Sequence, residues 1–255
     1  MSFRIRLAGR IVEVCPRYDG IRAMCGQYIR PDDRTESPDF TVAVTDADLW
    51  REAEAVRDEA RKTGILRPYT PDELEISAAY RRIAAKMAAF DTFMMHGAVV
   101  SAAGLGCMIA APSGVGKTTR VRLWTEHIPD SFVVNGDKPL LKREGGIFRA
   151  YGTPWCGKEG WNVDTAVPLR VVFLLSRADQ GQGNHVRKTT PAEAFPKLLY
   201  QTHLPEAAEA RHRVLELLRA LAGGVEIYDL QSEPTAEGVR MAWDAVRPGG
   251  AMPQK

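Results

Sequence analysis

The stretch Ala111-Pro112-Ser113-Gly114-Val115-Gly116-Lys117-Thr118-Thr119 decides the fold of this chain. It fits the phosphate-binding loop pattern G-x-x-x-x-G-K-[ST], with an alanine in the place of the first glycine. The apolar run at 107–110 predicts a strand before the loop, and residues 120–124 predict a helix after it. Strand, glycine-rich loop and helix in that order form the context in which the pattern binds nucleotide phosphates. The alternative is a glycine-rich turn that contains a lysine by chance, and such a turn would not require a strand before it and a helix after it.

The residue types in this loop match the chemistry of phosphate binding. Gly114 and Gly116 allow consecutive backbone N–H groups to converge on one anion. Lys117 would reach the β- and γ-phosphates, the Thr118 hydroxyl would bind Mg²⁺, and the helix beginning near Lys117 adds the positive end of its dipole. The predicted nucleotide-binding residues are Ser113, Gly114, Val115, Gly116, Lys117, Thr118 and Thr119. We therefore expect the chain to bind a nucleoside triphosphate with Mg²⁺.

Composition places the chain among ordinary globular proteins. Its 255 residues, 45% of them hydrophobic, are enough to bury a full core, and the formal net charge of +2 gives no case for binding nucleic acid or a membrane surface. The four cysteines (Cys15, Cys25, Cys107 and Cys156) form no C-x-x-C pair and indicate reduced, mostly buried thiols. No apolar stretch is long enough for a bilayer and the N-terminus has no signal core, so we expect a cytoplasmic protein.

Two regions and a tail are predicted. Residues 1–91 form a β-rich N-terminal portion that begins with a strand pair at 3–15 and also carries helices. One of these helices begins at the capping box Thr70-Pro71-Asp72-Glu73, which has proline at the first helical position. Residues 92–246 form the nucleotide-binding core, and the Pro- and Gly-rich residues 247–255 are expected to be a flexible tail.

The core is predicted to be α/β with a mixed sheet. Strands at 92–101 and 105–111 are separated only by Ala102-Ala103-Gly104, which is hairpin spacing. The strand before the phosphate-binding loop therefore has an antiparallel neighbour. A nearly continuous apolar run at 167–175 predicts a buried strand, and the rest of the chain is predicted to be mostly helical apart from a strand at 225–230.

Three further features are candidates for the chemistry. Asp137 follows a strand, where such folds place the acidic partner of Mg²⁺; alternatively it only helps a turn. His96 lies among apolar residues, so it is either a hydrogen-bonded core residue or a catalytic one. The loop at 151–162 carries Lys158 and Glu159 and is either a substrate or phosphate clamp or a surface loop whose tryptophans pack.

The combination of these motifs resembles a known family. The run His96-Gly97-Ala98-Val99-Val100, the turn Gly104-Leu105-Gly106 and the loop from Ala111 to Thr118 are similar to the central block of HPr kinase/phosphorylase, which shares its core with phosphoenolpyruvate carboxykinases. Three segments resemble a smaller branch of that group: Asn135-Gly136-Asp137-Lys138-Pro139, Gly152-Thr153-Pro154-Trp155-Cys156-Gly157-Lys158-Glu159 and Val167-Pro168-Leu169. Members of the broader group occur in peptide natural-product systems, including kinases that phosphorylate lasso-peptide precursors. Residues 1–91 do not resemble the amino-terminal domain of HPr kinases, which argues against HPr as the acceptor.

The resemblance implies an HPr kinase-like P-loop core that transfers a phosphoryl group from ATP, with Mg²⁺, to a hydroxyl on a peptide or small molecule. It places His96 and Lys158 near the transferred group and Asp137 at the metal and the acceptor. Gly136 replaces the first of the family's paired aspartates, so either Asp137 serves both roles, or Glu159 contributes, or transfer is weak. Proteins with this core often assemble, which leaves a homo-oligomer open.

Three other functions stay open on the sequence. The segment Leu175-Ser176-Arg177-Ala178-Asp179 faintly resembles a guanine-selecting element of GTPases, but no D-x-x-G switch lies between it and the loop. A carboxykinase-type lyase shares the core, although its substrate residues cannot be placed here. The third is a non-catalytic nucleotide-binding accessory or regulatory protein of a peptide-maturation system, for which Gly136 is the main argument.

Overall fold

The computed structural model describes residues 1–30, 36–65, 68–178 and 183–247 of the chain. Its contacts divide the chain into two units, Met1–Met87 and a second unit that begins at Ala88. The tail predicted at 247–255 lies outside the described residues, except for its first residue.

The first unit combines a three-stranded sheet with helices. Its elements are β1 (Phe3–Leu7), β2 (Arg10–Cys15), α1 (Gly20–Met24), a 3₁₀ turn (Gly26–Tyr28), β3 (Phe40–Ala43), α2 (Asp46–Thr63) and α3 (Pro71–Met87). The strand pair predicted at 3–15 is the antiparallel hairpin of β1 and β2. It turns at Ala8 and Gly9, which have φ of 46° and 77°, and β3 runs parallel to β2.

The predicted capping box at the start of α3 is confirmed. The Thr70 backbone N–H donates to Glu73 Oε2 (2.8 Å), and the Glu73 backbone N–H donates to the Thr70 hydroxyl (3.2 Å). The same arrangement begins α2, where Thr45 and Asp48 satisfy each other's backbone N–H groups. Each reciprocal cap gives partners to two N–H groups that a helix start otherwise leaves without one, so both helices begin where the local sequence dictates.

The second unit holds one large sheet with helices on both of its faces. Its strands are β4 (Thr92–Met94), β5 (Ala98–Ala102), β6 (Leu105–Ala110), β7 (Phe132–Asn135), β8 (Leu140–Glu144), β9 (Ile147–Tyr151), β10 (Ala166–Arg177), β11 (His185–Lys188) and β12 (Glu226–Ser232). Its helices are a 3₁₀ turn (Ala88–Phe90), α4 (Lys117–His127), α5 (Pro191–Gln201), α6 (Ala208–Gly224) and α7 (Ala236–Asp244). Among the residues with described structure, no helix is both long and apolar enough to span a bilayer.

The sheet is mixed, as the sequence predicts. Strands follow the order β4-β8-β9-β10-β6-β5-β7, with β12 on β10 and β11 on β12. The hairpin of β5 and β6 is antiparallel and turns at Ala103 and Gly104, which have φ of 49° and 75°. Strands β6, β10 and β12 are parallel to one another. Because the carboxyl ends of parallel strands meet at one edge of a sheet, the segments that follow these three strands lie together.

The long strand β10 separates two apolar layers. Val172 and Leu174 belong to the cluster that packs with α5 and α6, whereas Phe173 and Leu175 belong to the cluster that packs with α4 and α7. This alternation follows from the two-residue repeat of a strand. A strand buried on both faces reads as a continuous apolar run, which is why the sequence at 167–175 predicts it.

The prediction of a single strand at 92–101 is wrong. The segment forms two strands, β4 paired with β8 and β5 paired with β6 and β7. Between the two strands Met95 forms only an isolated bridge, to Thr202, and a Cβ on Gly97 would lie 2.6 Å from Met108 Cε and 2.9 Å from the Ile109 carbonyl oxygen. Only glycine allows this close approach. The apolar composition of the run does not show that the strand is divided here.

The prediction that the last third is mostly helical misses β11. This strand of four residues pairs with β12 along His185–Lys188 and is largely exposed. Its sequence shows neither an apolar run nor a clean alternation, because an edge strand of this kind buries little.

Shortening Phe173 to alanine tests the packing around β10. The ring is fully buried, 5.9 Å from the Trp124 ring and 6.1 Å from the Tyr228 ring between centroids. We expect Phe173→Ala to lower the free energy of unfolding by about 3–5 kcal/mol in chemical denaturation. Phe132→Ala is the control, because that side chain is 42% exposed; we expect it to change stability by less than about 0.5 kcal/mol. Equal losses in the two variants would contradict this packing.

Candidate functional site

The segment between β6 and α4 has the backbone of an anion-binding loop. Gly114 and Gly116 have φ of 79° and 103°, a region that side chains other than glycine rarely adopt. Gly116 is the N-cap of α4 and carries no side chain that could cap the helix. The first N–H groups of α4 therefore keep their capacity to bind an anion, which the positive end of the helix dipole favours.

Lys117 folds back over the start of this loop. Its ammonium donates to the Ala111 carbonyl (Nζ to O 2.8 Å) and lies 3.4 Å from the Pro112 carbonyl oxygen. Burial lowers the pKa of Lys117, and the nearby charge of Asp137 acts against that shift. The ammonium is thus held at the start of the loop, close enough to Asp137 for the two charges to interact.

Two arginines that are not among the predicted site residues donate hydrogen bonds to carbonyls of the loop. Arg120 is 3% exposed, and its guanidinium donates to the Ser232 hydroxyl (3.2 Å), the Ser232 carbonyl and the Val115 carbonyl (3.4 Å). Arg177, at the end of β10, donates to the Gly114 carbonyl. Burial lowers the pKa of Arg120, and the positive charge of Arg177 adds to this effect. The two arginines thus bind the Gly114 and Val115 carbonyls and fix this part of the loop.

The turn that presents Asp137 is built by a buried asparagine. The Asn135 side-chain oxygen accepts the backbone N–H groups of Asp137 (2.9 Å) and Lys138 (2.7 Å), and its amide donates to the Thr153 carbonyl (3.0 Å). The Asp137 carbonyl accepts the Gly97 N–H (2.8 Å). The turn is therefore fixed by Asn135, so the Asp137 carboxylate is not needed to form it.

His96 connects Asp137 to the end of α5. Its Nε2 lies 3.2 Å from Asp137 Oδ1, and its Nδ1 lies 3.0 Å from Gln201 Oε1. The His96 backbone N–H also donates to the Gln201 carbonyl (2.7 Å). The imidazole is therefore held at both nitrogens, and Gln201, only 7% exposed, is a site residue that the sequence did not reveal.

Electrostatics keep Asp137 ionised. Burial acts to raise the pKa of Asp137, but the hydrogen bond from His96 and the positive charges of Lys138 and Lys117 outweigh it, so the pKa is lowered. Asp137 and Lys117 are thus opposite charges that lie close enough to favour each other's ionised form. A polyphosphate with a divalent cation carries the complementary pair of charges.

The oxygen donors at this site suit Mg²⁺ bound together with phosphate. The Asp137 carboxylate and the hydroxyl of Thr118, half-buried in the first turn of α4, are the hard ligands that Mg²⁺ prefers. Within the described part of the chain, no group of three or more His, Cys, Asp or Glu side chains could hold a metal alone. A cation here would complete its shell with phosphate oxygens and water, which is usual for Mg²⁺ in nucleotide sites.

Gly136 is closed off by the loop that follows β9. A Cβ at this position would lie 2.7 Å from the Cys156 carbonyl oxygen and 3.4 Å from the Trp161 carbonyl oxygen. The Gly136 N–H donates to the Trp161 carbonyl (2.8 Å). The backbone of this loop therefore occupies the space that a side chain at 136 would need.

Of Lys158 and Glu159 in that loop, Glu159 is the one that lies beside Asp137. A Cβ on Gly157 would lie 3.4 Å from Asp137 Cβ and 3.6 Å from Glu159 Oε2, so the two acidic side chains flank this glycine. The Glu159 side chain is 22% exposed, whereas that of Lys158 is 90% exposed and its Nζ is 4.0 Å from Glu159 Oε1. Lys158 is therefore not brought into the site in this arrangement.

Comparisons with known proteins give a likeness in structure but none in sequence family. No protein-family model and no curated protein matches it. One solved structure with some likeness is the Hpr(Ser) kinase/phosphatase from Coxiella burnetii, with 12% identity, a TM-score of 0.29, and coverage of 49% of this chain and 86% of that chain. A likeness of this size carries no functional argument, so the function has to be argued from the site.

A methyl group at position 136 tests the close packing of the 155–161 loop. We expect Gly136→Ala to lower the free energy of unfolding by about 1–3 kcal/mol, because its Cβ would displace the Cys156 carbonyl. Gly223→Ala is the matched control: this glycine lies in α6 with no atom within 4 Å of its Cβ position, and alanine favours a helix. Chemical denaturation of both variants measures the difference. A Gly136→Ala protein as stable as Gly223→Ala would contradict the packing.

Proposed function

We propose that this chain is a phosphotransferase that uses ATP with Mg²⁺ to phosphorylate a hydroxyl group on a peptide or small molecule. The reaction is assigned to the second unit. The observation that supports it most is that Lys117 and Asp137 follow two strands that end at the same sheet edge, close enough for their opposite charges to affect each other's pKa, beside a glycine-rich helix start. A positive group for the phosphates and a carboxylate for the metal are the minimum that phosphoryl transfer needs.

In this proposal the segment from Ser113 to Thr119 binds the triphosphate. The N–H groups of the loop and of the first turn of α4 donate to phosphate oxygens, and Lys117 neutralises charge at the β- and γ-phosphates. Arg120 and Arg177 hold the loop carbonyls away from those oxygens. Such donors are aimed before the ligand arrives, so little reorganisation is needed during the reaction.

Mg²⁺, held by Thr118, Asp137 and phosphate oxygens, would neutralise the charge that develops on the phosphates. His96 fixes the orientation of the Asp137 carboxylate through its Nε2. Gln201 fixes His96 in turn. The chain therefore positions its metal-binding carboxylate through two further side chains, as metal sites in proteins commonly do.

The transfer itself is a displacement at phosphorus. The acceptor oxygen forms a bond to the γ-phosphorus, the bond from that phosphorus to the β–γ bridging oxygen breaks, and ADP leaves with the electron pair. The hydroxyl proton passes to Asp137 or Glu159, the two carboxylates beside Gly157. Because the transition state is loose, orienting the hydroxyl matters more than removing its proton early.

A second candidate is a nucleotide-binding accessory protein without transferase activity. It is favoured by Gly136, where the loop leaves no space for a carboxylate side chain at that position, and by the exposed position of Lys158. Titration of ATP with and without hydroxyl compounds separates the two: binding without ADP formation or labelled product would support the accessory role.

Removing the Lys117 ammonium tests the proposed triphosphate site. We expect Lys117→Ala to reduce ADP formation by at least about 100-fold, as loss of a preorganised charge donor does in other enzymes. Lys62→Ala, an exposed lysine in the last turn of α2, is the control and should retain wild-type turnover. Turnover in Lys117→Ala equal to that of Lys62→Ala would refute the proposal.

Of the two carboxylates beside Gly157, we expect Asp137 to contribute more to turnover than Glu159. Asp137→Asn removes the metal ligand, so we expect it to reduce turnover about 10-fold or more beyond the loss in Glu159→Gln, which keeps the metal ligand. Initial rates of ADP release over a range of Mg²⁺ concentrations measure both variants. The reverse ranking would assign the main role to the loop that carries Glu159.

A further inference from the structure

Strand β10 ends with Arg177, beside the segment that connects β6 to α4. Strands β6 and β10 run parallel with Leu174 opposite Ala110, so both leave the sheet at the same edge. Phe173 and Leu175 pack in the cluster on the α4 side of the sheet. Because side chains alternate along a strand, Arg177 projects to that side as well. The register of β10 therefore brings Arg177 to the loop.

The Arg177 guanidinium binds the middle of this loop. Its Nη2 donates to the carbonyl of Gly114, a glycine whose φ of 79° belongs to the left-handed region. In a loop of this pattern the backbone N–H groups surround the α- and β-phosphates, and the lysine reaches the β- and γ-phosphates. A donor held at Gly114 thus lies beside the part of the loop that would bind the β-phosphate.

Arg177 keeps most of its hydrogen-bonding capacity. A guanidinium carries five N–H donors in a fixed fork. Within the ranges that the structure describes, the Gly114 carbonyl is the one hydrogen-bond acceptor of the Arg177 side chain, and no carboxylate pairs with it. The side chain is exposed, so its other donors are available to a ligand.

The neighbouring Arg120 has a different role. It is 3% exposed, and its donors are taken by the Ser232 hydroxyl and carbonyl and by the Val115 carbonyl. Ser232 is also the residue opposite Arg177 in the pairing of β10 with β12. Arg120 therefore fixes the loop to the sheet, whereas Arg177 is placed to bind a ligand.

The charges around the loop favour an anion. Burial lowers the pKa of Arg120 and the positive charge of Arg177 lowers it further, so the two guanidinium groups lie close enough to repel each other. In the described part of the chain their hydrogen bonds go to neutral oxygens and not to carboxylates. Lys117 adds a third cation at the same loop. A bound polyphosphate would relieve the repulsion among these three cations.

We propose that Arg177 is a catalytic residue of the phosphoryl transfer, which keeps its bond to Gly114 and donates a second N–H to the β–γ bridging oxygen of ATP. This inference rests on the proposed function. As the acceptor oxygen bonds to the γ-phosphorus, the bond from that phosphorus to the bridging oxygen breaks, and the electron pair stays on the bridging oxygen. Arg177 stabilises this growing negative charge and keeps its own proton. An arginine of the same chain can supply such stabilisation in enzymes with this type of loop.

The test uses the full chain with Mg²⁺ and ATP, with water in the place of the acceptor hydroxyl. Release of ADP gives kcat, and calorimetry gives Kd for ADP, for a non-hydrolysable ATP analogue, and for ADP with aluminium fluoride, a mimic of the group in transfer. We expect Arg177→Ala to lower kcat by about 100-fold or more. Because the charge develops only during transfer, Kd for the analogue should change by less than about 3-fold. The affinity for ADP with aluminium fluoride should fall by about the same factor as kcat.

Arg240→Ala is the matched control, because Arg240 is an exposed arginine on α7 in the same unit. We expect its kcat and all three dissociation constants to stay within about 2-fold of the wild type. Thermal unfolding of both variants checks the fold. Since the Arg177 side chain is exposed, we expect equal melting temperatures.

The outcomes separate this inference from the proposed function. If the wild type neither hydrolyses ATP nor binds ADP with aluminium fluoride more tightly than ADP alone, the proposed function fails and this inference fails with it. If the wild type hydrolyses ATP and Arg177→Ala does so within about 2-fold of Arg240→Ala, the role of Arg177 is wrong and the proposed function stands. If kcat and the affinity for the ATP analogue fall by the same factor, Arg177 only shapes the loop or binds the nucleotide, which would also overturn its catalytic role.

Discussion

The Lys117 ammonium and the Asp137 carboxylate lie close enough for each charge to affect the pKa of the other, and the proposed site depends on that proximity. Each charge favours the ionised form of the other, while burial disfavours both. Lys117 has the Ala111 carbonyl and Asp137 has His96 as further partners. A metal-bound polyphosphate carries both signs and is complementary to two such charges.

The fold brings these charges together by strand order. Lys117 follows β6 and Asp137 follows β7, and both strands pair with β5. Because β5 is antiparallel to each, β6 and β7 end at the same edge of the sheet. Strand β5 lies between them and therefore sets the spacing between the loop at 111–119 and the Asp137 carboxylate.

Local features of the fold were predictable from the sequence, and the long-range contacts of the site were not. The loop at 111–119, the hairpin at Ala103 and Gly104 and the capping box at Thr70 depend on neighbouring residues, so their patterns can be read directly. Gln201 and Arg177 reach the site only through the packing of α5 and the register of β10. No local pattern marks either residue. The reason for Gly136 could not be read from the sequence either. The sequence suggests only that a carboxylate is missing, whereas the structure shows that the Cys156 carbonyl occupies the position of a side chain at 136.

The most direct test of this account is a crystal structure of the full chain with Mg²⁺ and a non-hydrolysable ATP analogue. We predict that the β- and γ-phosphates are bound by the 113–119 segment, with Lys117 Nζ within about 3 Å of a phosphate oxygen. We also predict that Thr118 and Asp137 both bind the cation. A structure in which the triphosphate lies elsewhere, or in which the Asp137 carboxylate turns away from the cation, would contradict the account.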